Sequence, residues 1–175
     1  MKNNMKKFIA IVAFLALPFF CNAQNVFDKY EGNESVTSVI VSKKMFELMS
    51  KVKMESKEDQ AYLNLVKKLD NLKVYKTSNP KVTADMRGNV EKYSASLEEL
   101  MRVNENGKSS KIYVKPVSGS NNVSELLMFI EGTGIKGSDT VLMSLTGDFN
   151  INEISLLTKR MNLPGGDDLN KATKK

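Results

Sequence analysis

Three runs in the C-terminal half decide the fold: Lys111–Val117 (KIYVKPV), Glu125–Glu131 (ELLMFIE) and Thr140–Thr146 (TVLMSLT). Their period is two, the signature of strands whose successive side chains point to opposite sides of a sheet. A Ser/Gly/Asn-rich segment separates the first pair and a Gly-rich one the second, so a three-stranded meander is expected. One side would carry Ile112, Val114, Leu126, Met128, Ile130, Val141, Met143 and Leu145, apolar throughout and suited to packing against helices. The other side mixes Tyr113, Leu127, Phe129 and Leu142 with Lys115, Glu131 and Ser144. Left uncovered, Tyr113, Leu127, Phe129 and Leu142 would form an exposed apolar patch, which on a soluble domain marks an interaction surface. These four residues are the candidate interaction face. The alternative is that a helix or the N-terminal lead-in covers them.

Working outward, Ser35–Ser42 (SVTSVIVS) is β-branched and reads as a strand. Lys43–Lys53 follows with Met45, Leu48, Met49 and Val52 at helical spacing. Ser56, with Asp59 in the first turn, opens a second helix carrying Ala61, Tyr62, Leu65, Val66 and Leu69 on one face. Asn71–Thr77 reads as a strand. Asn79-Pro80 then opens a long helix, with proline at the first helical position, where its missing N–H costs nothing. Its stripe runs through Val82, Met86, Val90, Tyr93, Leu97 and Leu100, and the turn at Asn104–Gly107 ends it. After the meander, Asn150 and Glu153 stand at capping-box spacing before a last helix with Ile151, Ile154, Leu157 and Met161 inside. Pro164-Gly165-Gly166 stops that helix. The expected order is β-α-α-β-α-β-β-β-α. That is a single α+β domain over residues 35–166, with a five-stranded mixed sheet and helices on at least one face. A lead-in (24–34) precedes it and a frayed lysine-rich tail (167–175) follows.

The N-terminus reads as an address. Lys2, Lys6 and Lys7 precede the apolar run Phe8–Phe20, which is shorter than the roughly 20 residues a membrane-spanning helix needs. Cys21-Asn22-Ala23 places small residues before Gln24, so residues 1–23 are expected to be a signal peptide cleaved between Ala23 and Gln24. Phe19 and Phe20 are bulky where a lipoprotein signal wants a small residue, which argues against lipidation of Cys21. The expected product is exported to the periplasm or outside the cell, with no stable membrane insertion. Loss of three lysines takes the formal charge from +6 to +3, too little to suggest a nucleic-acid partner.

Composition removes several kinds of chemistry. The chain has no histidine and one cysteine, Cys21, so Ser–His and Cys–His nucleophiles and Cys/His zinc sites are excluded. Gly132-Thr133-Gly134-Ile135-Lys136-Gly137 has dinucleotide-loop spacing, but a strand follows it rather than a helix, so it reads as a hairpin loop. Asp148, Asn150 and Asn152 begin like a calcium loop, yet Glu153 stands where glycine is needed and Lys159 where a bidentate glutamate is needed. Ser50 with Lys53, and Ser78 with Lys81, match a serine–lysine spacing without its companion motifs. Met45, Met49, Met54, Met86 and Met101 form no copper-type cluster. No catalytic residue, cofactor or metal is expected.

The segment Leu145-Thr146-Gly147-Asp148-Phe149-Asn150-Ile151, then Ile154, then Met161-Asn162-Leu163-Pro164-Gly165, resembles the ending of a Bacteroidota family catalogued as domain of unknown function 4252. Size, exported N-terminus and element order are similar too, so the resemblance spans most of the mature chain. Gly166 departs from the apolar residue expected there in relatives. The resemblance implies an envelope or secreted location and, from members lying near sigma-factor genes, envelope-stress regulation. It carries over no catalytic residue. Together these readings predict a non-enzymatic exported domain that binds another envelope component, foremost a protein. The alternatives are a carrier or sensor of a small apolar or anionic ligand and, behind it, a hydrolase built on carboxylates and lysines.

Overall fold

The computed structural model describes residues 25–52, 56–105, 107–132 and 139–164. The expected cleavage site at Ala23 and Gln24 lies outside them, as does most of the glycine-rich loop. Among the described residues six strands form one sheet: β1 (Thr37–Ser42), β2 (Leu69–Thr77), β3 (Glu98–Glu105), β4 (Lys108–Pro116), β5 (Asn122–Gly132) and β6 (Thr140–Asn150). Their spatial order is β1-β2-β6-β5-β4-β3. Every neighbouring pair is antiparallel. The helices are α1 (Lys43–Met49), α2 (Lys57–Val66), α3 (Pro80–Ser94) and α4 (Ile154–Met161), with 3-10 turns at Asp28–Tyr30 and Ile151–Glu153.

The expectation of five strands in a mixed sheet is therefore corrected on both counts. The additional strand is β3, cut from what reads as the C-terminal part of the long helix. That helix stops at Ser94. The Ser94 and Ser96 hydroxyls donate to the carbonyls of Glu91 and Tyr93, local bonds that compete with helix continuation. The chain then reverses through Glu105 and Lys108, which face each other across the turn, with Gly107 at φ +72°. Asn106-Gly107 is the commonest two-residue hairpin sequence, because both central positions need positive φ. Glu, Leu, Met and Arg have good helix propensity, but β4 needs a ladder partner on its outer side, and the hairpin supplies it.

The caps read from the sequence are present. Asp59 N–H donates to Ser56 Oγ at 3.1 Å, and Lys81 N–H donates to Asn79 Oδ1 at 2.9 Å. Asn150 and Glu153 form a reciprocal capping box that turns β6 into the Ile151–Glu153 turn and α4.

The sheet has two covered faces. On one, Ile112, Val114, Leu126, Met128, Ile130, Val141, Met143 and Leu145 pack beneath Phe46 of α1, Tyr62, Leu65 and Val66 of α2, and Ile154 and Leu157 of α4. This is the helix-facing set that alternation predicts. On the other, α3 contributes Met86 and Val90, and the N-terminal segment contributes Phe27 and Tyr30.

Gly147 stands where the β2–β6 pairing ends. It lies at φ +152°, and a Cβ there would sit 2.3 Å from the Lys68 carbonyl oxygen and 2.9 Å from Leu69 Cα. The close approach lets Asp148 N–H donate to that same carbonyl at 3.0 Å, stitching β6 to the entry of β2.

Candidate functional site

Tyr113, Leu127, Phe129 and Leu142 share one sheet face, as alternation requires, but they are not exposed. All four are buried in one cluster with Phe27, Tyr30, Tyr75, Met86 and Val90. The interaction patch suggested for them is thus replaced by the covered-face alternative. The physical reason lies in the N-terminal segment. Phe27 sets its ring 5.2 Å from that of Tyr93, and Tyr30 packs edge-on to Tyr75 at 5.7 Å. A segment that looks polar with isolated aromatics is a strap whose aromatics all point inward.

Polar groups around this face pair with the strap and α3, while Lys115 stays exposed. Lys73 Nζ, on a mostly buried side chain, pairs with Asp28 at 2.5 Å and Glu31 at 2.9 Å. Burial pulls its pKa down, but the hydrogen bonds to Asp28 and Glu31 outweigh it and hold the ammonium above its ordinary value. Tyr75 hydroxyl donates to Glu31, and Tyr30 hydroxyl donates to Asp85 at 2.8 Å. Burial, then these carboxylates, push both phenols up. Tyr93 donates to the buried Glu125, and burial first, then that bond, pushes it up to about 12. Asp85, bonded by Lys29 and Tyr30, is held below the usual aspartate range. Arg87 grips Glu131 through two guanidinium nitrogens. These groups hold the strap and α3 in place.

Several residues of the other motifs make local contacts. Ser50 hydroxyl donates to the Glu47 carbonyl, and Lys53 lies outside the described residues. Asp148 Oδ1 accepts from the Asn122 amide at 2.8 Å, and Asn150 Oδ1 serves as the cap. Met86 is core while Met45 is exposed, and Met54 lies outside the described residues. A recess of about 210 Å³ beside the strap is lined by Asn25, Asp28, Asn71, Lys73, Ser144 and Thr146. Another of about 440 Å³ opens beside Ser35, Thr37, Lys76 and Asp139. Polar residues predominate in both linings, although the surface of the smaller recess is more apolar than polar.

Most of the exposed large apolar side chains lie elsewhere, at the β1 end of the sheet, with Leu100 on β3 and Val26 exposed apart from them. Val39 is 47% and Ile40 43% exposed on β1, and Met45 and Leu48 are 51% and 52% exposed on α1. β1 is an edge strand, paired only to β2 among the described residues, and its six residues, TSVIVS, carry no charge. Register with β2 sorts its side chains. Val39 and Val41 stand opposite Val74 and Leu72 on the α1 side, and Ser38 and Ile40 opposite Tyr75 and Lys73 on the strap side. α1 starts directly after Ser42, buries Phe46 and leaves Met45 and Leu48 outside. An edge strand offers a row of backbone donors and acceptors, and natural proteins ordinarily guard it with charges, prolines or bulges. β1 has none of these. Sequence reading missed this site because an uncharged β-branched run looks the same at an edge as in the middle of a sheet.

The family model described as Domain of unknown function (DUF4252) matches residues 30–157. The chain belongs to this family. No curated protein and no solved structure matches it. The DUF4252 span opens at Tyr30 and closes at Leu157, both core residues, so all six strands and the β1 edge fall within the family domain.

Proposed function

We propose that this DUF4252 domain is an exported, non-enzymatic module that binds a protein of the cell envelope by strand addition at β1, with α1 forming one wall of the contact. The unguarded edge beside exposed Met45 and Leu48 carries this reading. Strand addition draws affinity from main-chain hydrogen bonds and specificity from alternate side chains, and β1 offers both. The non-enzymatic part is supported by the engagement of the shifted titratable groups in holding the strap and α3. Export follows the N-terminal charge and apolar pattern, and envelope-stress regulation is the setting the family resemblance suggests.

The test is site-specific photocrosslinking in producing cells. A crosslinker at Ser38 on β1 should give discrete protein adducts, and one at Asn104 on β3 should not. Adducts from β3 alone, or from neither edge, would overturn the reading. So would recovery of the uncleaved N-terminus from the cytoplasm.

A further inference from the structure

We infer that the occupant of the β1 edge is β1 of a second copy of this chain, paired antiparallel about a two-fold axis at Ile40. This rests on the docking reading above and names its partner. The first observation is a local palindrome: Ser38-Val39-Ile40-Val41-Ser42 reads the same in both directions. An antiparallel partner presents its residues in reverse, so a two-fold at Ile40 sets Ile40 against Ile40, Val39 against Val41 and Ser38 against Ser42. Like meets like at every position, and apolar and β-branched cross-strand pairs are the stabilising unit of a sheet.

Backbone geometry admits this register. Along an edge, alternate residues turn their N–H and C=O outward, and residues directly opposite each other must agree in that direction. A two-fold centred on a residue meets this condition automatically, whereas one centred between residues never does. Of the permitted centres, Val39 would set Ser38 against Ile40 and Thr37 against Val41, polar against apolar. Ile40 alone keeps the sorting intact.

The two faces also match. A two-fold normal to the sheet keeps each copy's α1 side on the same side as its partner's. Val39 and Val41 of the two copies then extend the apolar layer across the axis, with Met45 and Leu48 of α1 beside it. Ile40 meets its copy on the strap side. Charge agrees: the six residues bring no like charges together, and the end carrying Glu34 approaches the end of the partner carrying Lys43 and Lys44. Strand pairing alone is small for a stable interface, and α1 supplies further apolar contact. The interface is isologous, so it closes at two copies.

Sedimentation equilibrium of the purified protein tests this. Wild type should be dimeric at micromolar concentration. Ile40→Lys and Ile40→Glu set like charges against each other, so each alone should weaken association about tenfold or more. Mixing the two should restore a heterodimer, which only contact between the two copies of position 40 explains. Asn104→Lys on β3 should leave the dimer unchanged. Should Ile40→Lys melt early, Ser38→Lys with Ser42→Lys reads the same contact. A wild type monomeric throughout the micromolar range, position-40 variants that dimerise as tightly as wild type, or mixing without rescue would each overturn the inference. In those cases crosslinks from Ser38 to a foreign protein would keep the docking reading alone, and no crosslinks would end both.

Discussion

β1 and β3 are the two edges of the same sheet, each held by a single neighbour, and they are built in opposite ways. β3 carries Glu98, Glu99, Arg102 and Glu105 among its eight residues, with Glu99 and Arg102 paired to each other. A strand arriving at that edge would have to desolvate these charges. β1 carries no charge and exposes Val39 and Ile40. Both edges are equally open in topology, so openness alone does not make a binding site. What separates them is the guard: β3 exposes Leu100 but carries charges and a register shift between Glu99 and Met101, and β1 has neither.

The comparison holds only if the sheet faces are closed, and the largest expected effect tests that condition. Phe129→Ala removes a buried ring from the strap-side core and should cost about 3–5 kcal/mol in a denaturant melt. A nearly unchanged midpoint would mean that face is open and the edges are not the main apolar surface. Next comes Gly147→Ala, which drives a Cβ into the Lys68 carbonyl. Backbone strain of this sort costs about 1–3 kcal/mol. Because Gly147 faces Leu69 at the β2 entry, hydrogen exchange should quicken in β1 and β2 more than in β3 and β4.

The strap responds to pH with a definite sign. Lys73 is raised in the folded state, so its contribution is fully present below the ordinary lysine value and is lost as pH rises through the folded one. Asp85 is depressed, so its contribution is present above the ordinary aspartate value and is lost as pH falls through the folded one. Melting temperature against pH should therefore fall at both extremes. Lys73→Met should make the alkaline fall shallower without abolishing it, because the raised phenols of Tyr30, Tyr75 and Tyr93 also lose stability at high pH, and should leave the acid arm. The smallest effect on stability is expected at the edges themselves. Glu99→Val with Arg102→Val should change folding stability by no more than about 0.5 kcal/mol per site. It should nonetheless give β3 a capacity for association that it lacks, read by light scattering. If association does not rise, charge is not what guards β3.

Some of this was legible in the chain. The alternation of Lys111–Thr146 sorted the meander side chains correctly into two faces, because strand geometry leaves no other choice once the period is two. Ser56, Asn79 and Asn150 marked helix starts through bonds that close within a few residues. The sixth strand was signalled by Asn106-Gly107 and by the Met101–Arg102–Val103 alternation, yet Leu97 and Leu100 continue the helical spacing of Val90 and Tyr93. Two periods overlap there, and only the vacancy beside β4 decides between them. β3 looked helical because the charged residues that guard an edge are also good helix formers.

The amino-acid order alone thus determined most local elements but not β3, together with the caps, the inward set on the helix side and the absence of histidine chemistry, since each depends on neighbours a few positions apart. Tertiary structure decided which strand became an edge, which face the strap sealed and which apolar side chains were left in solvent. Phe27 and Ile40 show the difference. Both are apolar residues in short segments, and nothing in their neighbours says which of them is buried. Phe27 is fully buried because α3 and the sheet meet over it, and Ile40 is 43% exposed because β2 is the only strand beside it. Burial of that kind is set by residues tens of positions away in the chain, which local pattern cannot contain.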